Sequence, residues 1–221
     1  MKPGKPVKTK DGSHTLFNEK AGEHYHSVFG AIQESEHIFI RAGLEGYKNL
    51  ENELRILEIG FGTGLNGLLT LNWAEKHHQH IQYTGIEAFP VMQSTLKELN
   101  YPVLLHVDST IFMKMHSSSE RRQILSFLSL HVLYEKLRDY HPASNRFHVV
   151  FFDAFSPDSQ PEMWTEEVFV KLYNALVPGG ILVTYSCKGT VKRALKAAGF
   201  RLEKLPGPPG KREFLRATVQ K

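Results

Sequence analysis

Glu58, Glu87 and Asp153 are acids that stand where apolar runs stop. Ile56-Leu-Glu-Ile59 enters Gly60-Phe-Gly-Thr-Gly64, Ile81–Ile86 ends at Glu87, and Phe147–Phe152 ends at Asp153. Such runs suit strands buried in a parallel sheet, and ligands bind open α/β sheets outside the carboxyl ends of the strands. A carboxylate there can accept a hydrogen bond from a ligand hydroxyl or amine, or hold a proton in transit. Gly60, Gly62 and Gly64 let the backbone turn sharply and approach a ligand without Cβ atoms in the way, and the helical pattern from Leu65 aims free N–H groups at it.

That stretch alone leaves several readings open, because Gly62-x-Gly64-x-x-Gly67 also satisfies the dinucleotide fingerprint, and a tight turn can be purely structural. Glu58, two residues before the first glycine, favours S-adenosylmethionine: it can face that cofactor's amino group, whereas it would repel a pyrophosphate. Glu87 is spaced from the glycines to bind the two hydroxyls of an adenosine ribose. Val103–Val107 reads as a further strand ending in Asp108, an acid placed either for the adenine amino group or as the cap of the next helix.

Residues 1–50 do not read as an alternating β/α array. Two short extended pieces and a helix over Val28–Phe39 form a lid or substrate platform, and 51–221 form the main domain. Helices follow over Leu65–Glu75 and Val91–Leu99. Ser109–Asn145 is long for a crossover and reads as an insertion or extra helix, with a loop tip at Ser117-Ser-Ser119 and a helix-compatible run at Ile124–Tyr134. Thr165 caps a helix that Pro178-Gly-Gly180 ends; strand Ile181–Tyr185 and helix Val191–Ala198 follow. Strands Phe200–Leu205 and Phe214–Val219 are too close for a parallel crossover and must form an antiparallel hairpin. Five parallel strands closed by such a hairpin define an α/β, Rossmann-like, class I methyltransferase fold dependent on S-adenosylmethionine. That ending decides between the two cofactors.

A chain of 221 residues with 41% hydrophobic and 23% charged residues is an ordinary globular one, with neither a membrane-length apolar run nor an apolar leader, so the expected location is the cytoplasm. Cys187 is the only cysteine, which excludes an internal disulfide and a thiolate metal cluster. His24-x-His26 lacks a second ligand pair, so no metal is expected. Net charge is +4, but from Lys188 onward ten Lys or Arg face only Glu203 and Glu213, and Lys2, Lys5, Lys8 and Lys10 form a second cluster. This suits either an RNA partner or a solvated basic face. A transferase acting on a small-molecule amine would share the glycine loop and acids without needing the basic segment. A non-catalytic RNA-binding module would not need Glu87 and Asp153 together.

Several motifs together resemble the methyltransferase domain of the bifunctional tRNA-modification proteins of the MnmC family and the stand-alone MnmD-type enzymes. They are Glu58-x-Gly-Phe-Gly-Thr-Gly-Leu-Asn66, Glu87–Pro90, Asp108, Asp153-Ala-Phe-Ser-Pro157 with Pro161-Glu-Met-Trp164, and Gly210-Lys-Arg-Glu213, with Asp11–Phe17 and Glu23–Tyr25 matching the opening segment. The resemblance implies methylation of the aminomethyl group of 5-aminomethyl(-2-thio)uridine at the tRNA wobble position, with the anticodon loop as partner. The flavin-dependent oxidase domain has no counterpart here, so a separate enzyme would supply the aminomethyl group. It further implies that Glu58, Gly60, Gly62, Thr63, Gly64, Asn66, Glu87, Asp108 and Asp153 hold the cofactor. Asp153 would orient the amine, with or without taking its proton; Phe155 would stack on the uracil and Trp164 close the pocket wall, unless both aromatics simply pack in the core. Lys211 and Arg212 would contact phosphate or base, with Glu213 bracing one of them, and Glu23 and Tyr25 would contact substrate.

Overall fold

Five apolar strands run parallel through the centre of the molecule: β1 (Glu53–Ile59), β2 (His80–Ile86), β3 (Leu128–Leu133), β4 (Phe147–Phe152) and β5 (Leu176–Thr184). Every residue of β4 is buried, as a strand covered on both faces must be. The last two strands are β6 (Arg201–Pro206) and β7 (Glu213–Thr218). β7 pairs antiparallel with both β5 and β6, so the order across the sheet is β3-β2-β1-β4-β5-β7-β6, with a short edge piece at Arg122–Gln123 beside β3. The order reverses between β1 and β4, which opens a crevice at their carboxyl ends. The structure, a computed structural model, describes residues 4–49, 51–117 and 120–220. Lys2, Ser118 and Ser119, named above, and Lys221, one of the ten basic residues counted from Lys188, lie outside the described residues.

Successive strand residues point to opposite faces, so each strand feeds two cores. Ile56, Val149, Phe151 and Val183 face one, packed with Ile38, Phe39 and Leu44 of the N-terminal helix and with Leu68 and Leu71 of α2 (Leu65–His77). Leu57, Val150, Phe152 and Leu182 face the other, under α6 (Glu166–Ala175) and α7 (Gly189–Ala197). Thr165 caps α6 as expected, accepting a hydrogen bond from Val168 N.

The N-terminal helix begins as α1 (Ala31–Ser35) and widens into a π-helix over Glu36–Leu44, where Glu45 N donates to Ile40 O five residues back. It therefore runs past the expected end at Phe39. Gly43 lets it lie close on the sheet: a Cβ there would come within 2.9 Å of Val183 and 3.0 Å of Phe151.

The third strand is where the sequence reading needs correction. Val103–Val107 is not a strand: α4 (Tyr101–Leu104) starts on Tyr101-Pro102, and Val103 and Leu104 are 75% and 40% exposed. Proline at a helix start is well tolerated, since its missing N–H would be unpaired there anyway. The strand is β3, inside the stretch read as helix-compatible. Leu128, Leu130 and Val132 are buried while Ser129 and His131 between them are half-buried, which is a period of two. The long connection before it also holds α3 (Gln93–Leu96) and α5 (Ser109–Met115). Of the two readings of Ser109–Asn145, insertion or extra helix, the structure shows a helix, α5, together with the third strand β3.

Candidate active site at the carboxyl ends of the strands

A cavity of about 790 Å³ opens over the crevice between β1 and β4. Its floor is the turn after β1, Glu87 after β2 and Asp153 after β4; its walls come from Asn18–Phe29, the segment after β3, and the β6–β7 turn. Glu87 and Asp153 therefore face one space, as the strand-end reading requires.

The glycine turn is built for close approach. Gly60 has φ +87°, and a Cβ on it would lie 2.6 Å from Asp153 O; Gly62 has φ +50°, and a Cβ would press on the Tyr25 ring at 3.1 Å. Both favour glycine for conformation as well as space. Gly60 N and Phe61 N both donate to Ile86 O, and Gly62 N donates to Glu87 Oε2 at 2.8 Å. Glu87 Oε1 accepts from Phe89 N at 2.7 Å, so this acid fixes the turn while lining the cavity. Burial raises its pKa against the pull of those backbone donors.

Asp153 shares one amide with a second acid. Asn66 Nδ2 donates to Asp153 Oδ2 at 2.9 Å and to Glu58 Oε1 at 2.8 Å, and Tyr83 OH donates to Glu58 Oε2 at 2.8 Å. Burial pushes the Asp153 carboxyl up to about 7; the nearby Glu34 charge adds to this, while Asn66 and Lys211 oppose it. Glu58, only 1% exposed, is also raised well above the ordinary carboxylate range, first by burial.

Several expected site residues do not reach the cavity. Glu58 and Asn66, each 1% exposed, do not line it; they lie behind Asp153, which Asn66 holds directly and Glu58 holds through Asn66. Thr63 turns its hydroxyl to His26 Nε2 at 3.0 Å, and a Cβ on Gly64 would meet His116 at 2.7 Å, so both face packing around the N-terminal segment and α5. Asp108 is at no strand tip: it is exposed and caps α5, accepting from Thr110 N and Thr110 Oγ1, both at 2.7 Å. Trp164 is 5% exposed and lies behind the wall against Phe152, Phe169 and Tyr185, its Nε1 donating to Phe155 O at 2.8 Å. Arg212 is exposed on the turn and does not line the cavity, and Glu213 pairs with Lys204 at 3.2 Å rather than bracing Lys211 or Arg212.

Phe155, Tyr25, Glu23 and Lys211 do line the cavity. The Tyr25 and Phe155 rings meet edge to face at 5.1 Å. Glu23 ties the N-terminal segment to the loop after β4, accepting from Ser156 Oγ at 2.6 Å, Ser156 N at 3.2 Å and the Ser159 hydroxyl. Sequence reading missed Glu34, Tyr185 and Glu135, which also line the space. Glu135 stands two residues past the end of β3, a strand-end position like those of the other acids that only the correct third strand reveals.

The cavity fits S-adenosylmethionine on its own chemistry. Glu34, Glu87 and Asp153 suit a ligand with a sulfonium and an α-ammonium, Ile59, Ile86 and Leu137 offer apolar surface to a purine, and the Gly60–Gly62 turn is open to backbone contact. Among the described residues no group of three or more His, Cys, Asp or Glu is arranged to hold a metal ion, and no helix is long and apolar enough to cross a membrane.

Comparison with known proteins agrees. The chain is 31% identical over 228 residues to the tRNA 5-methylaminomethyl-2-thiouridine biosynthesis bifunctional protein MnmC of Aromatoleum aromaticum, covering 97% of this chain and 35% of that protein. It is 30% identical over 217 residues to the same-named protein of Leptospira interrogans, covering 91% of this chain and 33% of the other. The chain thus spans about a third of the length of these relatives. The crystal structure of MNMC2 from Aquifex aeolicus superposes with a TM-score of 0.76 at 26% identity, covering 98% of this chain and 70% of that one. Residues 107–220, just over half the chain, match the sequence model of the S-adenosyl-L-methionine-dependent methyltransferases, and with the glycine cradle and strand-tip acids described above this makes the chain a member of that family.

Proposed function

We propose that this methyltransferase acts on a primary amine, the aminomethyl group on carbon 5 of the wobble uridine of tRNA, and yields the methylaminomethyl form. The observation that carries the reading is Asp153: a carboxylate on the cavity floor, held by Asn66 and pushed up to about 7. An amine attacks only as the free base, so its ammonium must lose a proton, and an acid with that pKa can accept one near neutral pH. The bound cofactor supplies an electrophilic methyl group on sulfur. Gly60, Gly62 and Glu87 hold it, with Glu135 on the same wall. Glu58, Asn66 and Tyr83 keep Asp153 in place, so aligning the amine costs little reorganisation during reaction.

Phe155 and Tyr25 offer ring faces and edges to an extruded uracil. Asn18–Phe29, tied down through Glu23, serves as the substrate platform and keeps water from the reacting atoms. Exposed Lys20, Lys136, Arg138 and Arg212 stand around the mouth and its bordering turn and meet the phosphates of the anticodon loop. A separate enzyme supplies the aminomethyl group. The names of the MnmC relatives support the nucleoside assignment.

The test is mass spectrometry of wobble nucleosides after incubating the protein with S-adenosylmethionine and tRNA that lacks only the terminal methyl. A gain of one methyl on the aminomethyl group is expected, and unchanged nucleosides overturn the reading. The acidic cavity also suits a small amine in solution; methylation of free polyamines but not of tRNA would select that alternative.

A further inference from the structure

Lys211 enters the cavity from the β6–β7 turn, and its charge is already engaged. Its Nζ lies 3.2 Å from Glu34 Oε2 and 4.9 Å from the centre of the Tyr185 ring. Glu34, whose side chain is only 10% exposed, is fixed from its other oxygen, which accepts from Ser27 N at 3.1 Å. Tyr185 is fixed by its hydroxyl, which donates to Ala154 O at 2.9 Å. A phosphate contact needs a lysine aimed outward with its charge free. This one lies inward, on an acid and an aromatic face, in the cavity that has to admit the substrate.

The tip of a lysine is a –CH2–NH3+ group, and so is a protonated aminomethyl group. Two carboxylates, Glu34 buried and Asp153 half-buried, beside one ring face make a site for such a cation and a poor one for any neutral group, since emptying it leaves their charges unpaired. Given the reading that the acceptor is a primary amine, we propose that the Lys211 ammonium stands in the acceptor subsite, and that the substrate's –CH2–NH3+ replaces it between Glu34 and Asp153. Glu34 is then a determinant of specificity for a cationic acceptor. Lys211 is a built-in competitor that compensates the acids while the site is empty. Its side chain can leave by rotating about its own bonds, with the backbone turn held by Lys211 N donating to Pro208 O and Gly207 N donating to Arg212 O. A nucleoside bearing hydroxymethyl in place of aminomethyl is rejected, because it cannot replace the cation it displaces.

The groups that bear on Asp153 are Glu34 from α1, Lys211 from the turn, Asn66 from α2, Glu58 and Tyr83 from β1 and β2, and Tyr185 after β5. Glu34 raises its pKa and Lys211 lowers it. The two substitutions therefore move the acid limb of kcat/KM in opposite directions, which loss of packing does not do.

The experiment measures KM for aminomethyl-bearing tRNA and the pH profile of kcat/KM in wild type, Lys211→Met and Glu34→Gln. Lys211→Met is expected to lower KM at least threefold and move the acid limb to higher pH; Glu34→Gln is expected to raise KM at least tenfold and move the limb to lower pH. A raised KM in Lys211→Met together with a shallower salt dependence marks a phosphate contact and overturns the proposal, as do limbs that stay in place. A readout independent of any tRNA is the acetylation rate of Lys211, followed by mass spectrometry with and without n-propylammonium. At least threefold faster labelling with the probe is expected, and an unchanged rate overturns the proposal whether or not tRNA is the substrate.

Discussion

Asp153 and Asp108 carry nearly the same local signature, an apolar run that stops on an aspartate, yet one lies on the floor of the cavity and the other caps a surface helix. Phe147–Phe152 is buried at every position, while Val103 before Asp108 is 75% exposed. An apolar run is evidence for a strand only if its neighbours can cover it, and Tyr101-Pro102 starts a helix instead. Two identical acids are thus separated by what the preceding residues do with their hydrophobic surface.

The contrast can be broken most directly at the two acids. Asp153→Ala is expected to lower kcat/KM by ~100-fold or more in a tRNA methylation assay, the usual scale for removing a general base, while cofactor binding by calorimetry stays nearly intact. If turnover survives within threefold, Asp153 is not the proton acceptor. Asp108→Ala is expected to leave turnover within twofold; a hundredfold loss would return it to the site.

The next largest effect is expected one residue beyond a strand tip, at Gly60→Ala. Alanine at φ +87° with its Cβ 2.6 Å from Asp153 O has no relaxed position, so a loss of about 1–3 kcal/mol is expected in urea unfolding, with cofactor affinity falling together with it. Wild-type stability in that variant would mean that the turn opens freely.

The pH dependence of the two regions also differs. An Asp153 side chain titrates at 3.8 when unfolded and at about 7 in place, so the folded protein binds more protons between those values and loses stability as pH rises through that window. Asp153→Asn is therefore expected to melt above wild type at pH 8 and to lose this advantage below pH 4, whereas kcat/KM of the wild type climbs with pH up to about 7. A Tm difference that does not change with pH would mean that ionising Asp153 carries no such penalty in the folded protein. Asp108, its pKa lowered by the Thr110 hydroxyl and amide, works in the opposite sense, since its cap is lost as acid protonates it.

The smallest effects belong to the exposed charge at the hairpin turn and to the cap itself. Arg212→Ala is expected to weaken tRNA binding modestly and reduce the slope of log affinity against log salt by about 1, and an unchanged slope would remove it from the interface. Asp108→Ala should lower Tm by a degree or two and nothing else.

Much of this fold could be read before any coordinates. The strands at 56–59, 81–86 and 147–152 are largely apolar stretches with glycine or acid at the end, and the closing hairpin follows from the short spacing after residue 205. β3 escaped because Ile124–Tyr134 mixes apolar and polar residues in a way that fits a helix, and only the covering layer shows which of them alternate. At the site, Glu87, Gly60, Gly62 and Asp153 follow from strand geometry, which fixes where a chain end points. Glu34 was not legible, because it reaches the cavity from a helix distant in sequence. Glu58, Asn66 and Trp164 lie one layer behind the cavity lining, a depth that no local pattern in the sequence marks. A motif marks which side chains gather, but not which of them are left free once they have bonded to one another.

Because β7 lies between β5 and β6, the sixth strand has no partner until the seventh is in place. A nascent chain therefore keeps β6 waiting until Glu213–Thr218 is free to insert beside it. The same insertion carries the loop that seats Lys211 opposite Glu34, so closing the sheet and arming the pocket are one event. A prematurely terminated chain is consequently left with an open edge and with an acidic pocket that nothing neutralises.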